Sequence, residues 1–288
     1  MRVANKTIYD AIIFNLRNIT EDLNNANKVV ATGKRIINLS DDPTGLAQVL
    51  NIESTLSNIS QLQRNINAGK SWLTASESAL TSVQDLISDT KALCVQMASA
   101  TTGAAERASA AETVQNTLEE IVSLANTEIN GRYIFAGSKT DSAPFSQTGG
   151  YSGDNNPFTV KIGKNAAVEA GSDGEAVFGS LFNTLGDLKT ALENNNVSDI
   201  QAAISSLDTH FDRISTKISD TGSKMIRMEI KENILKDMDI ANTERLSKIE
   251  DADIPEAIID LKAKEVAYQA ALASAAKVLN VSLVDYLG

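Results

Sequence analysis

The sequence predicts a mainly α fold: a long helical coiled-coil rod formed by both chain ends, with a small β-rich domain inserted between them. Three observations predict it. Near the start, Ile12, Leu16, Ile19, Leu23, Ala26 and Val30 recur at alternating steps of four and three. Near the end, Ile258, Leu261, Tyr268, Leu272, Ala275 and Leu279 keep the same rhythm, broken only by Glu265. In the middle, half of the 16 glycines fall between Gly137 and Gly179, together with Pro144 and Pro157. The four-three spacing confines apolar groups to one narrow stripe of a helix, the seam of a coiled coil. A lone helix cannot bury such a stripe, and isolated helices are marginal in water. The two ends therefore need each other, or neighbouring copies. Ile12, Leu16, Ile19, Leu23 and Val30, with Ile258, Leu261, Tyr268, Leu272, Ala275 and Leu279, are the candidate assembly interface.

The first helix is expected from about Asn5 to Thr32, stopping at Gly33, with Lys34 and Arg35 near its negative C-terminal end. Ser40-Asp41-Asp42-Pro43 then supplies a capping side chain and a proline suited to the first helical position. The second helix carries Ile52, Ile59, Ile66, Leu73, Leu80, Ile87 and Cys94 as an apolar ladder seven apart. Val49 and Leu56 flank its upper half, Val83 and Met97 its lower half, so a slip or bend is expected near Gly69–Leu73. A third helix is expected from Ala104 to Asn130, ended by Asn130-Gly131. Tyr133-Ile134-Phe135 and Phe158-Thr159-Val160-Lys161-Ile162 look like strands bounded by turns. Helices resume at Leu181, pause at Asn194-Asn195-Asn196 and restart after Ser198, and Asp253 with Glu256 has the spacing of a capping box for the terminal helix. The expected division is a terminal assembly helix over 1–40, helical rod over 41–131, a β-rich outer domain over 132–180, helical rod again over 181–250, and a C-terminal assembly helix over 251–288.

Composition narrows the function. A formal net charge of −11 with no basic run argues against nucleic acid or an anionic membrane as partner, and suits a self-associating protein that must stay soluble. One cysteine, Cys94, excludes an intramolecular disulfide, and one histidine, His210, leaves no ordinary zinc site of Cys and His ligands. No secretory signal peptide and no apolar stretch of membrane-spanning length is visible.

His210 lies in a helical run and reads as a satisfied surface or boundary residue; Cys94 continues the apolar ladder and reads as a small buried hydrophobe. Asp41 and Asp42 read as helix caps, and Glu250-Asp251-Asp253 lacks the glycine and terminal glutamate of a calcium loop. No phosphate-binding loop occurs. Catalytic, cofactor and metal residues are all absent from this reading, so the chain is not expected to be an enzyme.

Thr32-Gly33-Lys34-Arg35-Ile36, Asn38 and Asp41-Asp42-Pro43 resemble the N-terminal signature of the bacterial flagellin superfamily, as do Gln63–Gly69 and Glu77–Leu80. Ile249-Glu250-Asp251-Ala252-Asp253-Ile254 resembles its C-terminal signature. Within the superfamily, Asn130–Gly137, Thr140-Asp141, Pro144-Phe145, Tyr151–Asp154 and the ending Leu279 to Leu287 resemble the hook-associated members of the hook–filament junction. The resemblance implies a structural adaptor between hook-associated protein 1 and the flagellin filament, copies of itself in a ring, a cytoplasmic export chaperone, and secretion through the hollow flagellum without a cleavable signal. The alternatives are a flagellin-type filament subunit or, from another class, a cytosolic helical chaperone or signalling rod.

Overall fold

The computed structural model describes the backbone of residues 2–287 and the side chains of residues 6, 7 and 9–277. Six helices and two short hairpins follow one another along the described residues: α1 (Arg2–Thr32), α2 (Pro43–Met97), α3 (Ala104–Ala125), β1 (Glu128–Ile129), β2 (Arg132–Tyr133), β3 (Thr159–Gly163), β4 (Ala166–Glu169), α4 (Gly174–Glu193), α5 (Val197–Glu250) and α6 (Ile254–Leu287). This is the mainly α fold that the seams predict. Two compact units divide it, Met1–Asn58 with Met238–Gly288, and Ile59–Asp237.

The second unit holds most of the core. The α2 ladder is buried from Ile59 through Ile66, Leu73, Leu80 and Ile87 to Cys94. From Gly69 onward the buried face widens to take in Trp72, Ser76, Ala79, Val83, Thr90 and Met97. The helix itself is unbroken, so the expected slip is a change in the covered face, not in the backbone. Its cause is extra cover: α3, α4 and the first part of α5 share one core with this half of α2. Ile59, Ile66 and Leu73 instead share a smaller core with Ile162, Val168, Met228 and Leu235. At Gly69 a Cβ would stand 2.7 Å from Met228 Cε, so the missing side chain makes the hole that Met228 fills.

α3 ends at Ala125, earlier than expected. Asn126 breaks it because its side chain is committed elsewhere. Its Nδ2 donates to the Phe145 carbonyl and its Oδ1 accepts from the Phe145 N–H, both at 2.9 Å. Asn130 (φ 52°) and Gly131 (φ 76°) are both left-handed, which suits a two-residue hairpin turn. They join β1 to β2, pairing Ile129 with Arg132, and do not stop a helix. Phe145, thus held, stacks with Tyr151, Phe178 and Phe182 at ring separations of 5.1, 5.7 and 5.1 Å. Ile134 and Phe135 are fully buried just after β2, and Phe135 meets Phe178 edge-on at 4.9 Å. β3 and β4 form the second hairpin, with a register shift between Lys161 and Gly163. α4 starts at Gly174, ahead of the expected Leu181, because the Asp173 side chain caps it by accepting from the Glu175 N–H at 3.0 Å.

Arg107 is buried at 4% exposure and spans three chain segments. Its guanidinium donates to the Met97 carbonyl at 2.8 Å, the Ser99 carbonyl at 2.9 Å, and the Asn195 side-chain oxygen. The planar fork thus satisfies carbonyls at the C-terminal end of α2 and the turn between α4 and α5. Arg107→Met should lower the unfolding free energy by about 2 kcal/mol or more. Arg107→Lys should recover little of it, since one ammonium cannot reach all three acceptors. Urea denaturation measures both.

His210 is buried (5% exposed), not at the surface or boundary as the sequence suggested. Thr184 Oγ1 gives its one proton to the Ser180 carbonyl at 3.0 Å, so His210 Nε2–H is the donor in the 2.9 Å contact with Thr184 Oγ1. Nδ1 carries a bare lone pair with no partner among the described residues. Burial, and then the Arg213 charge, hold the imidazole pKa below its ordinary 6.5. The unfolded chain therefore binds a proton that the folded chain does not. Stability is full above about 6.5 and falls as pH drops below it. Asp41, Asp42 and Asp154 have pKa values lowered from 3.8, so they act only in a more acidic range. Melting curves at pH 7.5 and about 5.5 should show a loss in the native chain that His210→Phe reduces.

Candidate assembly interface

The first unit is built outward from Gly33. Its φ of +71° is the left-handed stop that ends α1, and its N–H closes back on the Val29 carbonyl at 2.8 Å. The chain leaves extended and runs antiparallel to the segment joining α5 to α6. Lys34 bridges to Asp251, the Arg35 N–H donates to the Glu250 carbonyl at 2.6 Å, and the Ala252 N–H donates to the Gly33 carbonyl at 2.9 Å. Lys34 Nζ reaches Glu250 Oε1 at 2.5 Å, and this pairing raises the lysine pKa above 10.5. The Arg35 guanidinium donates to the Ile249 carbonyl at 2.8 Å. The sequence assigns these two cations to the end of α1. They serve instead the last turn of α5, whose C-terminal carbonyls carry the same negative potential.

Asp41 and Asp42 hold the next turn. Asp41 Oδ2 accepts from the Ile37 and Asn38 N–H groups at 3.0 and 2.8 Å. Asp42 Oδ1 accepts from the Thr44 and Gly45 N–H groups at 3.1 and 2.8 Å, capping α2. These hydrogen bonds to the charged form hold both carboxyls below the usual range. Ile36, 3% exposed, tucks its Cδ1 within 2.6 Å of where a Gly45 Cβ would lie. On the other strand, Asp253 Oδ1 accepts from the Glu256 N–H at 3.3 Å and starts α6. The two signature segments, far apart in sequence, thus form one joint. The sequence revealed both segments but not their pairing, since a backbone bridge leaves no side-chain pattern.

From that joint α1 and α6 pack along each other. Ile12, Leu16, Ile19, Leu23 and Val30 are half-buried on α1, and Ala26 is buried. On α6, Leu261 and Tyr268 are half-buried and Ala275 is 9% exposed. Ile258 and Leu272 are 45% and 42% exposed, and the side chain of Leu279 lies outside the described residues. The less exposed face of α6 runs through Ala257, Leu261, Lys264, Tyr268, Ala271 and Ala275. Alanines let α1 approach closely, and Lys264 pairs with Asp22 across the contact at 3.2 Å. The larger Ile258, Ile259, Val266 and Leu272 are left facing solvent, as are Tyr9, Ile13 and Phe14 on α1. Ile258 and Leu272 belong to the four-three stripe, but Ile259 and Val266, like Tyr9, Ile13 and Phe14, lie off it and are not evident from the rhythm.

Cys94 is 1% exposed, and burial pushes its thiol up to about 11, so it behaves as the small hydrophobe its ladder position predicts. Among the described residues no helix is long and apolar enough to cross a membrane.

The family model described as the bacterial flagellin N-terminal helical region matches residues 3–140. The chain is 25% identical over 312 residues to flagellar hook-associated protein 3 of Salmonella typhimurium, covering 98% of both chains. The Escherichia coli protein of that name is 24% identical with the same coverage. The phase 1 flagellin of Salmonella naestved is 29% identical over 190 residues, which are 66% of this chain but 37% of that flagellin. Among solved structures, FlgL of Bacillus cereus superposes with a TM-score of 0.63 at 27% identity, over 68% of this chain and 99% of that one. A hook-associated protein structure from Vibrio parahaemolyticus shares the fold, with a TM-score of 0.69 at 19% identity, over 73% of this chain and 100% of that one. The chain is thus similar to the bacterial flagellin N-terminal helical region over residues 3–140 and to hook-associated protein 3 along nearly its whole length.

Proposed function

We propose that this chain is the structural adaptor of the hook–filament junction, joining hook-associated protein 1 to the flagellin filament through a ring of its own copies. The observation that carries the reading is the match to hook-associated protein 3 along 98% of both chains, whereas the matched flagellin is covered over only 37% of its length. The reading includes secretion to the flagellum without a cleavable signal, a cytoplasmic export chaperone, and an outward role for residues 132–180. It is a structural role, and its chemistry is burial.

The seam residues divide the work. Ile12, Leu16, Ile19, Leu23 and Val30 hold α1 against Leu261, Tyr268 and Ala275 of α6 within one chain. Ile258 and Leu272, with Tyr9, Ile13 and Phe14, offer apolar surface to neighbours in the assembly. A set of large apolar groups this exposed is a mark of an interaction surface. Leu16→Asp should loosen the α1–α6 pair in the free chain and also block assembly, because a buried charge without a partner costs several kcal/mol. Leu272→Asp should leave the free chain's helicity and proteolysis pattern unchanged and block assembly alone. Filament growth with either variant would remove that residue from the interface.

Deletion of the gene tests the function as a whole. Cells should still build hooks, lack filaments, and release flagellin monomer into the medium. Normal filaments would refute the adaptor. A chain that stayed in the cytosol, never appearing with sheared flagella, would favour the helical chaperone instead.

A further inference from the structure

The charge of the second unit is unevenly spread. Its segments 59–76, 155–170 and 221–237, which surround the smaller core, hold eight Lys or Arg against four Asp or Glu. The remaining 77–154 and 171–220 hold seven against eighteen. On a chain of net charge −11 the first region is a local reversal of sign.

The cations there are gathered by contacts. Lys231 Nζ lies 3.7 Å from where a Gly163 Cβ would stand, at the tip of the β3–β4 hairpin, next to Lys164. Asn65 Nδ2 donates to the Lys161 carbonyl at 3.2 Å, so α2 meets the hairpin one residue from Arg64, whose guanidinium donates to Ser60 Oγ at 3.2 Å. Arg227 is one helical turn from Lys231 on α5. Arg64, Lys161, Lys164 and Arg227 are exposed, Lys231 is half-exposed, and none is in an ion pair among the described residues. The contrast with Lys70 and Lys224 beside them is direct, for those two are paired with Glu232 at 2.8 Å and Asp220 at 2.9 Å.

The complementary surface is α3. Glu106, Glu112, Glu119 and Glu120 are all exposed, while its single cation, Arg107, is buried in the contacts described above. None of the four glutamates is in an ion pair among the described residues. Ile162 and Val168 of the hairpin lie in the smaller core and α3 in the larger, with Val160 packed against both, and no ion pair joins the two patches among the described residues.

We propose that the cationic hairpin patch of one copy docks on the glutamate face of α3 of the next copy. Two different patches meeting make a heterologous contact, which repeats with a fixed direction and builds a ring or a helix. A free macromolecular polyanion is disfavoured as occupant, since the rest of the surface repels it. This inference rests on the junction reading and says which surfaces the copies use.

The test uses the full chain in a strain lacking its gene. Native chain must first restore filaments; if it does not, the junction reading has failed and not this contact. Lys161→Glu, Lys164→Glu and Lys231→Glu together should abolish filaments while the purified variant keeps the native circular dichroism spectrum and melting temperature. Adding Glu112→Lys, Glu119→Lys and Glu120→Lys should restore them. Filaments made by the first variant would overturn the proposal. Loss without restoration would overturn it too, because the patch would then serve some other partner. Should the first variant fail to fold, cross-linking decides. Lys164→Cys and Glu112→Cys chains, co-expressed, should form mixed disulfide dimers in oxidised, sheared flagella. Cys94, buried, does not compete. Absence of those dimers would overturn the contact.

Discussion

The antiparallel crossing of Gly33–Arg35 with Glu250–Ala252 is the constraint on which the first unit depends. It joins backbone groups more than two hundred residues apart, and both terminal helices leave from it. Closing so long a loop costs entropy that grows with the logarithm of its length. The second unit, folded within that loop, shortens the free chain left to be closed and so lowers the cost. The crossing then needs only a few strong contacts: two backbone hydrogen bonds, the Lys34–Glu250 pair, and Arg35 on the end of α5. Glu250 is 7% exposed, so its charge is worth holding only while Lys34 remains beside it. Gly33 is required at the start of the crossing because a side chain at φ +71° is strained whatever the space around it.

The two units resolve their burial differently. In the second, Arg107 finds three acceptors and Asn126 binds both the N–H and the carbonyl of Phe145, while the buried Trp72 Nε1, Ser76 Oγ and His210 Nδ1 are left without a partner among the described residues. Its aromatic cluster is closed on itself. In the first, α1 and α6 cover one stripe each and leave Ile13, Phe14, Ile259 and Val266 more than half exposed. A stably folded part beside a part that is incomplete alone is what a subunit needs if it must travel singly and then assemble. In the assembly proposed above, neighbouring copies cover the remaining surface and so meet the cost of ordering it.

Much of this is legible in the residues. The seven-residue ladder from Ile52 to Cys94, the glycine stop at Gly33 and the Asp42 cap are local patterns, and local patterns map directly onto helices. The α1 seam is legible for the same reason. The α6 seam is less so. Of its rhythm, Leu261, Tyr268 and Ala275 are the less exposed members, whereas Ile258 and Leu272 are 45% and 42% exposed. The end of α3 is ambiguous at Asn130-Gly131, where the same dipeptide serves helix stops and hairpin turns. Only the long-range hydrogen bonds of Asn126 to Phe145 decide between them. The burial of His210 is hidden from the sequence because it depends on Thr184, on another helix.

Acidity and exposed apolar surface act together in such a subunit. Net charge of −11 keeps free copies apart, so apolar faces alone would bring them together slowly and without fixed orientation. Specific encounter requires a place where the repulsion is reversed. The local excess of cations in the second unit is at the hairpin beside Lys161, Lys164 and Lys231, and a run of free carboxylates on one helix face is on α3. In the proposed contact, opposed patches steer approach and set the direction in which one copy follows another, and the apolar faces that close afterwards supply its strength. Direction is the property an adaptor cannot do without, because its two neighbours differ.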